Sequence, residues 1–171
     1  MRRLWIFASI LSMTFFLSAC TAAFETSKER PILEFKSEVE VCSEKVQLSA
    51  NIVRTADGAI QMSVSSPEAL SGFQIKHSAA ENFITKNGLT YKTNTLILPD
   101  SSDITAVFEA LEYVAKNPDE VPFYKDSEEM AFIGKISAGK FELRASRKTG
   151  LITEIKIGEK TTVKFSNQEK L

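Results

Sequence analysis

The sequence predicts a mainly β domain with one central helix, about eleven antiparallel strands that bury one face either by closing a barrel or by curving, open, around that helix. Three observations carry this. From Ile32 onward apolar residues recur with period two, the spacing of strands that bury one face. The turn dipeptides Asp57-Gly58 and Asn87-Gly88 divide the alternating runs. A single mid-chain stretch switches to helical period, and its apolar stripe supplies what so long a meander needs to bury its inner face.

The first strand places Phe35, Ser37, Val39 and Val41 on one side and Lys36, Glu38, Glu40 and Cys42 on the other. Val46, Leu48, Ala50 and Ile52 form the apolar side of the second, and Ile60, Met62 and Val64 that of the third, after the turn at Ala56-Asp57-Gly58. Ser66-Pro67 ends the third, because Pro lacks the ladder donor. Shorter strands are expected at 73–77, 83–86, 89–93 and 95–98, up to Pro99. Ile104, Val107, Phe108, Leu111, Val114 and Ala115 then trace one helix face. Asp100, Ser101 and Ser102 offer capping oxygens, Asp103 suits the first turn, and Asn117-Pro118 closes the helix. Strands resume at 121–124, 130–137, 141–147, 151–158 and 161–165. No internal repeat or low-complexity tract interrupts the pattern.

The chain of 171 residues suits one domain with a short extension, and 43% hydrophobic with 25% charged residues fits a globular class. Its start has a different character. Arg2 and Arg3 precede an uncharged run over 4–19, short for a membrane span and suited to a signal segment. The run ends in Leu17-Ser18-Ala19-Cys20, which resembles a bacterial lipobox. That resemblance implies cleavage after Ala19 and diacylglycerol on Cys20, where a plain secretion signal or an uncleaved helix would imply neither. The expected organisation is a signal peptide at 1–19, a lipidated Cys with a flexible tether at 20–31, and one domain at 32–171. The domain would face away from the cytoplasm on a cell membrane. Thr21 is not the Asp that would resemble an inner-membrane retention signal, which leaves the outer membrane open in a host that has one.

With 1–19 removed, 19 basic and 22 acidic side chains remain, a poor surface for nucleic acid. No Gly-rich phosphate loop is present. Asp119, Glu120, Asp126, Glu128 and Glu129 lack the spacing of a calcium loop and read as a solvated segment. His77 has no nucleophile or acid near it in sequence and reads as a rim histidine. Cys42 reads as an exposed-face thiol with no intrachain partner once Cys20 is acylated. Lys135, Lys140, Arg144, Arg147 and Lys148 read as mixed surface charge. No catalytic residue, metal or cofactor is expected, and the chain reads as a non-enzyme.

The order of meander, central helix and second meander behind a lipobox resembles the lipoprotein-localisation-factor superfamily, the LolA/LolB-like half-barrels. Ile52-Val53-Arg54-Thr55-Ala56-Asp57-Gly58, Ser66-Pro67-Glu68 with Leu70 and Gly72, and Asn87-Gly88-Leu89-Thr90-Tyr91 also resemble small lipoproteins of Gram-positive, clostridia-like bacteria. The superfamily resemblance implies the open, curved antiparallel half-barrel wrapped around the helix, and shielding of a lipid or acyl chain between sheet and helix. The lining expected here is Ile52, Met62, Phe73, Phe83, Val107, Phe108, Leu111, Phe132 and Phe141. It also implies a basic residue that holds the lid, and Arg54 is its counterpart. The aromatic segment that follows in the family is replaced by Ala59-Ile60-Gln61. Two alternatives stand beside this reading: a closed lipocalin-like barrel with the helix outside, and an envelope interaction protein that docks a protein partner and takes no small ligand.

Overall fold

The computed structural model describes residues 29–79, 81–93, 102–120, 122–124 and 126–171. The lipobox with Cys20 and the strand expected at 95–98 lie outside them. The chain runs through β1 (Phe35–Cys42), β2 (Gln47–Arg54), β3 (Ile60–Ser66), β4 (Gln74–His77), β5 (Asn82–Lys86) and β6 (Leu89–Thr93). The helix α1 (Ser102–Lys116) follows, and then β7 (Phe123–Tyr124), β8 (Glu129–Ile136), β9 (Gly139–Ser146), β10 (Ile152–Ile157) and β11 (Thr161–Lys170).

All eleven strands join one sheet in the order β6-β5-β4-β3-β2-β1-β11-β10-β9-β8-β7. Each meander folds outward from the middle, where β1 and β11 pair antiparallel, Val39 beside Phe165 and Val41 beside Val163. The two edge strands, β6 and β7, are the ones that flank α1 in sequence. The helix is therefore the crossover between opposite edges and crosses the inner face of an open sheet. This is the half-barrel, and the closed-barrel alternative falls because β6 and β7 are edges with no pairing to each other.

The alternation sets the faces. In β1 inward residues are buried and outward ones exposed in strict succession. Phe35, Ile52, Ile60, Met62, Leu143 and Ile155 from the sheet, with Val107, Phe108 and Leu111 from the helix, make one continuous core. β11 runs to Lys170, past the end expected at 165, with Lys170 paired to Phe35 and Glu169 to Lys36. Beyond Phe165 its residues are polar on both faces, so the alternation stops while the backbone ladder continues.

Polar ties fix the helix to the sheet. Thr161 Oγ1 donates to Asp103 at 2.8 Å near the helix start. Ser137, in the β8–β9 turn, donates its N–H and hydroxyl to Glu109 at 3.0 and 2.6 Å. On the opposite flank Glu112 meets His77 of β4. At the helix end the Asn117 N–H and side-chain amide both donate to the Tyr113 carbonyl, at 3.0 and 2.8 Å, which satisfies a terminal acceptor. The stretch read as tether is docked where it is described. Glu29 pairs with Arg147 (Nε to Oε2 2.7 Å), Pro31 is buried, and Ile32 N–H donates to the Gly150 carbonyl at 2.7 Å.

Candidate binding site

The inner face of the outermost strands on one side can be laid out in rows from their register. Ile60, His77 and Asn82 form the first row, and Met62, Ile75, Ile84 and Tyr91 the second. Val64, Phe73, Lys86 and Leu89 form the third, with the Val64 N–H donating to the Phe73 carbonyl and the Lys86 ammonium over the Phe73 ring. Cover disappears outward along the second row. Met62 is fully buried, Ile75 is buried, Ile84 is half-buried, and Tyr91 is 68% exposed. Leu89, in the third row, is 79% exposed. The helix packs mainly on β8 and β10 of the other half, which leaves the β4–β6 wing with apolar side chains in the open.

The first row is polar and closes under the C-terminal half of α1. A cavity of about 490 Å³ lies there, bordered by Arg54, Asp57, His77, Asn82, Glu112 and Lys116. The His77 ring stacks on Phe108 with centroids 5.8 Å apart. Its Nε2 donates to Glu112 Oε1 at 2.5 Å, and its Nδ1 pairs with the Asn82 side chain at 2.5 Å. Lys116 Nζ, one helical turn on, donates to the other Glu112 oxygen at 2.5 Å. Burial raises the Glu112 carboxyl, but the bonds and charges of Lys116 and His77 together outweigh it and hold the group below its ordinary value. Asp57 is turned into its own loop, accepting from the Thr55 hydroxyl at 2.5 Å and from the Ala59 N–H at 3.3 Å. Its carboxyl is lowered by those same bonds.

Arg54, the last residue of β2, is 6% exposed. Its Nη1 donates to the Leu33 carbonyl at 2.8 Å, and its Nε has no hydrogen-bond partner. Burial pulls the guanidinium below its usual range, opposed by the charges of Glu112, Glu34 and Asp57. Its hydrogen bond goes to the irregular segment that leads into β1, and the field of Glu112 links it to the helix. A side chain on Gly58, which has φ +82°, would come within 3.7 Å of the guanidinium, so that turn sits close against Arg54.

Seven of the expected lining residues, Ile52, Met62, Val107, Phe108, Leu111, Phe132 and Phe141, are packed against one another and no more than 3% exposed. They are core. Phe73 lies half-buried at its margin, on the open wing. Phe83 is a correction. It pairs with Lys76 and Lys92 on the outer face and borders a shallow polar groove there with Gln61 and Gln74. Phe83 and Ile84 are adjacent apolar residues, so period two left two registers open, and the pairing of Ile75 with Ile84 chose the second.

Glu112, Asn82 and Asp57 escaped the sequence reading. Glu112 is next to Leu111 on the flank of the helical stripe, and its i+4 partner Lys116 was visible, but no local signal points to His77, 35 residues away. Elsewhere, Cys42 is exposed and free. Asp126 accepts from the Glu128 and Glu129 N–H groups at 2.7 and 2.8 Å, and no metal-type cluster occurs among the described residues. The basic cluster disperses. Arg144 joins Glu142 and Glu154 at 2.6 and 3.0 Å, Arg147 holds Glu29, and Lys135 faces Lys140 at the β8–β9 turn.

No family model matches the chain, and no curated protein matches it. A solved LolA superfamily protein from Nitrosomonas europaea is similar at 8% identity and a TM-score of 0.42, over 84% of this chain and 89% of that one. The half-barrel itself stands on the strand order and helix crossing described above.

Proposed function

We propose that this domain is a binding module for a lipid, acyl chain or similar apolar ligand, held at a membrane surface by diacylglycerol on Cys20. The observation that carries the proposal is the inner face of the β4–β6 wing, uncovered among the described residues, where Tyr91 and Leu89 are 68% and 79% exposed beside half-buried Phe73 and Ile84. Apolar side chains gathered on a concave face are a ligand or docking surface more often than an accident. The ligand position differs from the one the resemblance implies. The space between helix and central strands is filled, so an apolar chain lies along the wing and reaches the core margin at Phe73 and Ile75.

A second reading uses the same face. β6 ends the sheet, so its outer edge is open to another strand among the described residues, and a protein partner would combine that edge with Leu89 and Tyr91. Native mass spectrometry with organic extraction separates the two. A reproducible lipid or fatty-acid adduct that is lost in the Leu89→Ser/Tyr91→Ser variant, with unfolding unchanged, supports the binding module. An apo mass together with a stoichiometric crosslinked protein replaces it with the docking reading.

A further inference from the structure

We infer that the end of the half-barrel at which the chain enters is the surface that meets the lipid bilayer, and that the docked segment 29–33 holds it there. The register sorts the sheet into two ends. Phe35, Arg54, Ile60, His77, Asn82 and Lys170 lie at one, each paired with the next across β11, β1, β2, β3, β4 and β5. Cys42 lies at the other, beside Gln47 and Thr162. β1 has eight residues, which sets the two ends roughly 23 Å apart before their turns are added.

The N-terminal segment is fastened across the first end at successive points. Glu29 pairs with Arg147 of the β9–β10 turn at 2.7 Å, and Pro31 is buried. The Ile32 N–H donates to the Gly150 carbonyl at 2.7 Å, and the Leu33 carbonyl accepts from Arg54 at 2.8 Å. The seat is close: a Cβ on Gly150, which has φ +72°, would stand 3.0 Å from the Arg30 carbonyl. At the same end the Leu171 N–H donates to the Glu34 carbonyl at 3.3 Å, and the Leu171 side chain, 56% exposed, offers an apolar contact to a lipid interface.

Covalent geometry limits what lies beyond Glu29. Nine residues separate it from Cys20, a reach of about 30 Å at most. With the entry end toward the bilayer that length is slack. With the Cys42 end toward it, the chain has to climb past roughly 23 Å of strand and a turn, which uses nearly the whole reach and removes most of its conformations. Exposed Arg30, Lys148 and Lys170 stand beside exposed Glu34, Asp57 and Glu169 at the entry end, so headgroup charge has little to select on and the attachment point decides. Asp57, Ser78 and Asn82, on the border of the polar cavity, belong to that end, so the first row of the wing is presented to the bilayer too. The inference rests on the Cys20 anchor of the proposed function and is independent of its ligand.

The test inserts the full-length protein, acylated by a bacterial host, into preformed phosphatidylcholine vesicles that carry a headgroup-linked fluorescent acceptor. The donor dye sits on the free, exposed thiol of Cys42 or, in a Cys42→Ser background, on Ala56→Cys, with Lys148→Cys as a second reporter; Ala56 and Lys148 are exposed in turns at the entry end. Energy transfer about twofold more efficient from Ala56→Cys and Lys148→Cys than from Cys42 is expected from the difference in height of roughly 23 Å. An insertion of about twenty Gly and Ser residues after Thr21 is expected to bring the signals together. Equal transfer from both ends, or stronger transfer from Cys42, overturns the orientation while the anchor stands. A contrast that survives the insertion overturns segment 29–33 as its cause. Protein that stays out of the vesicle fraction removes the Cys20 anchor and the orientation with it.

Discussion

Gly134→Ala tests how closely the helix is seated on the sheet. Gly134 lies in β8, and a methyl group there would sit 2.5 Å from Phe141 Cε1, 2.6 Å from Tyr113 Cε1 and 2.8 Å from Tyr113 Cζ. Its backbone is not in the left-handed region, so alanine brings no conformational strain, and by chain entropy alone it would stabilise by about 0.4–1 kcal/mol. The contacts oppose this. Phe141 is buried in the core, and Tyr113 is locked edge-on against it with ring centroids 5.2 Å apart, so neither ring moves without disturbing the other. Overpacking of this kind costs roughly 1–3 kcal/mol. The two effects leave a net destabilisation of up to about 2.6 kcal/mol, read in a urea melt and as a fall in Tm of roughly 2–4 °C per kcal/mol in a thermal one. Tyr113→Ala in the same chain opens the space, and Gly134→Ala added to it should then be neutral or stabilising. A stabilised Gly134→Ala single variant, or an equal effect in both backgrounds, would refute the close seating of α1 on β8.

Phe108→Asp places an unpaired charge beneath His77 at a position 1% exposed, and loss of the cooperative thermal transition is expected; a folded variant with retained ligand binding would put that helix face in solvent. Cys20→Ala should move the protein from the membrane to the soluble fraction, and persistence in the membrane would make the segment from Leu4 a true anchor. Glu112 is held below its usual value of 4.5, so its stabilising effect is present above about pH 4.5 and fades as the pH falls through its lower folded value. Glu112→Gln should accordingly be less stable than wild type at pH 7, with the gap in chemical denaturation closing as the pH falls below about 4.5; a constant gap would mean the ionised group is not what ties α1 to β4.

The fold was legible wherever one face is buried and the other wet. β1, β2 and β3 alternate so regularly that their faces, and the helix needed to cover them, follow from residue order. Legibility failed where local pattern is symmetric between registers. Phe83-Ile84 satisfies either phase, and only hydrogen bonding to β4 decides which residue turns inward. The cluster around Arg54 was only half visible for a related reason. Arg54 was named only as the counterpart that the superfamily resemblance implies, and its neighbours come from the β2–β3 turn, from β4, β5 and α1. Sequence separation hides a pairing such as His77 with Glu112, because it depends on where the crossover helix lands.

Where that helix lands follows from lengths. Fifteen residues at 1.5 Å each make a helix of about 22 Å. Eleven strands spaced about 4.8 Å apart make an inner face of roughly 50 Å. Lying across the strands α1 covers fewer than half of them, and lying along them it covers fewer still. Among the described residues, part of an alternating, apolar-inward sheet is therefore left without a helix over it. On the β8–β10 side the ties at Ser137 and Thr161 hold α1 down, and the strands there are closed by large side chains such as Phe132, Phe141 and Ile155. The shortfall falls on β4–β6. A sequence with no use for that surface would carry polar residues on its inward positions, as it does on the outward positions Thr85 and Thr90. The inward positions carry Phe73, Ile84, Leu89 and Tyr91 beside the polar Lys86, His77 and Asn82, and it is this apolar group on which the proposed function rests.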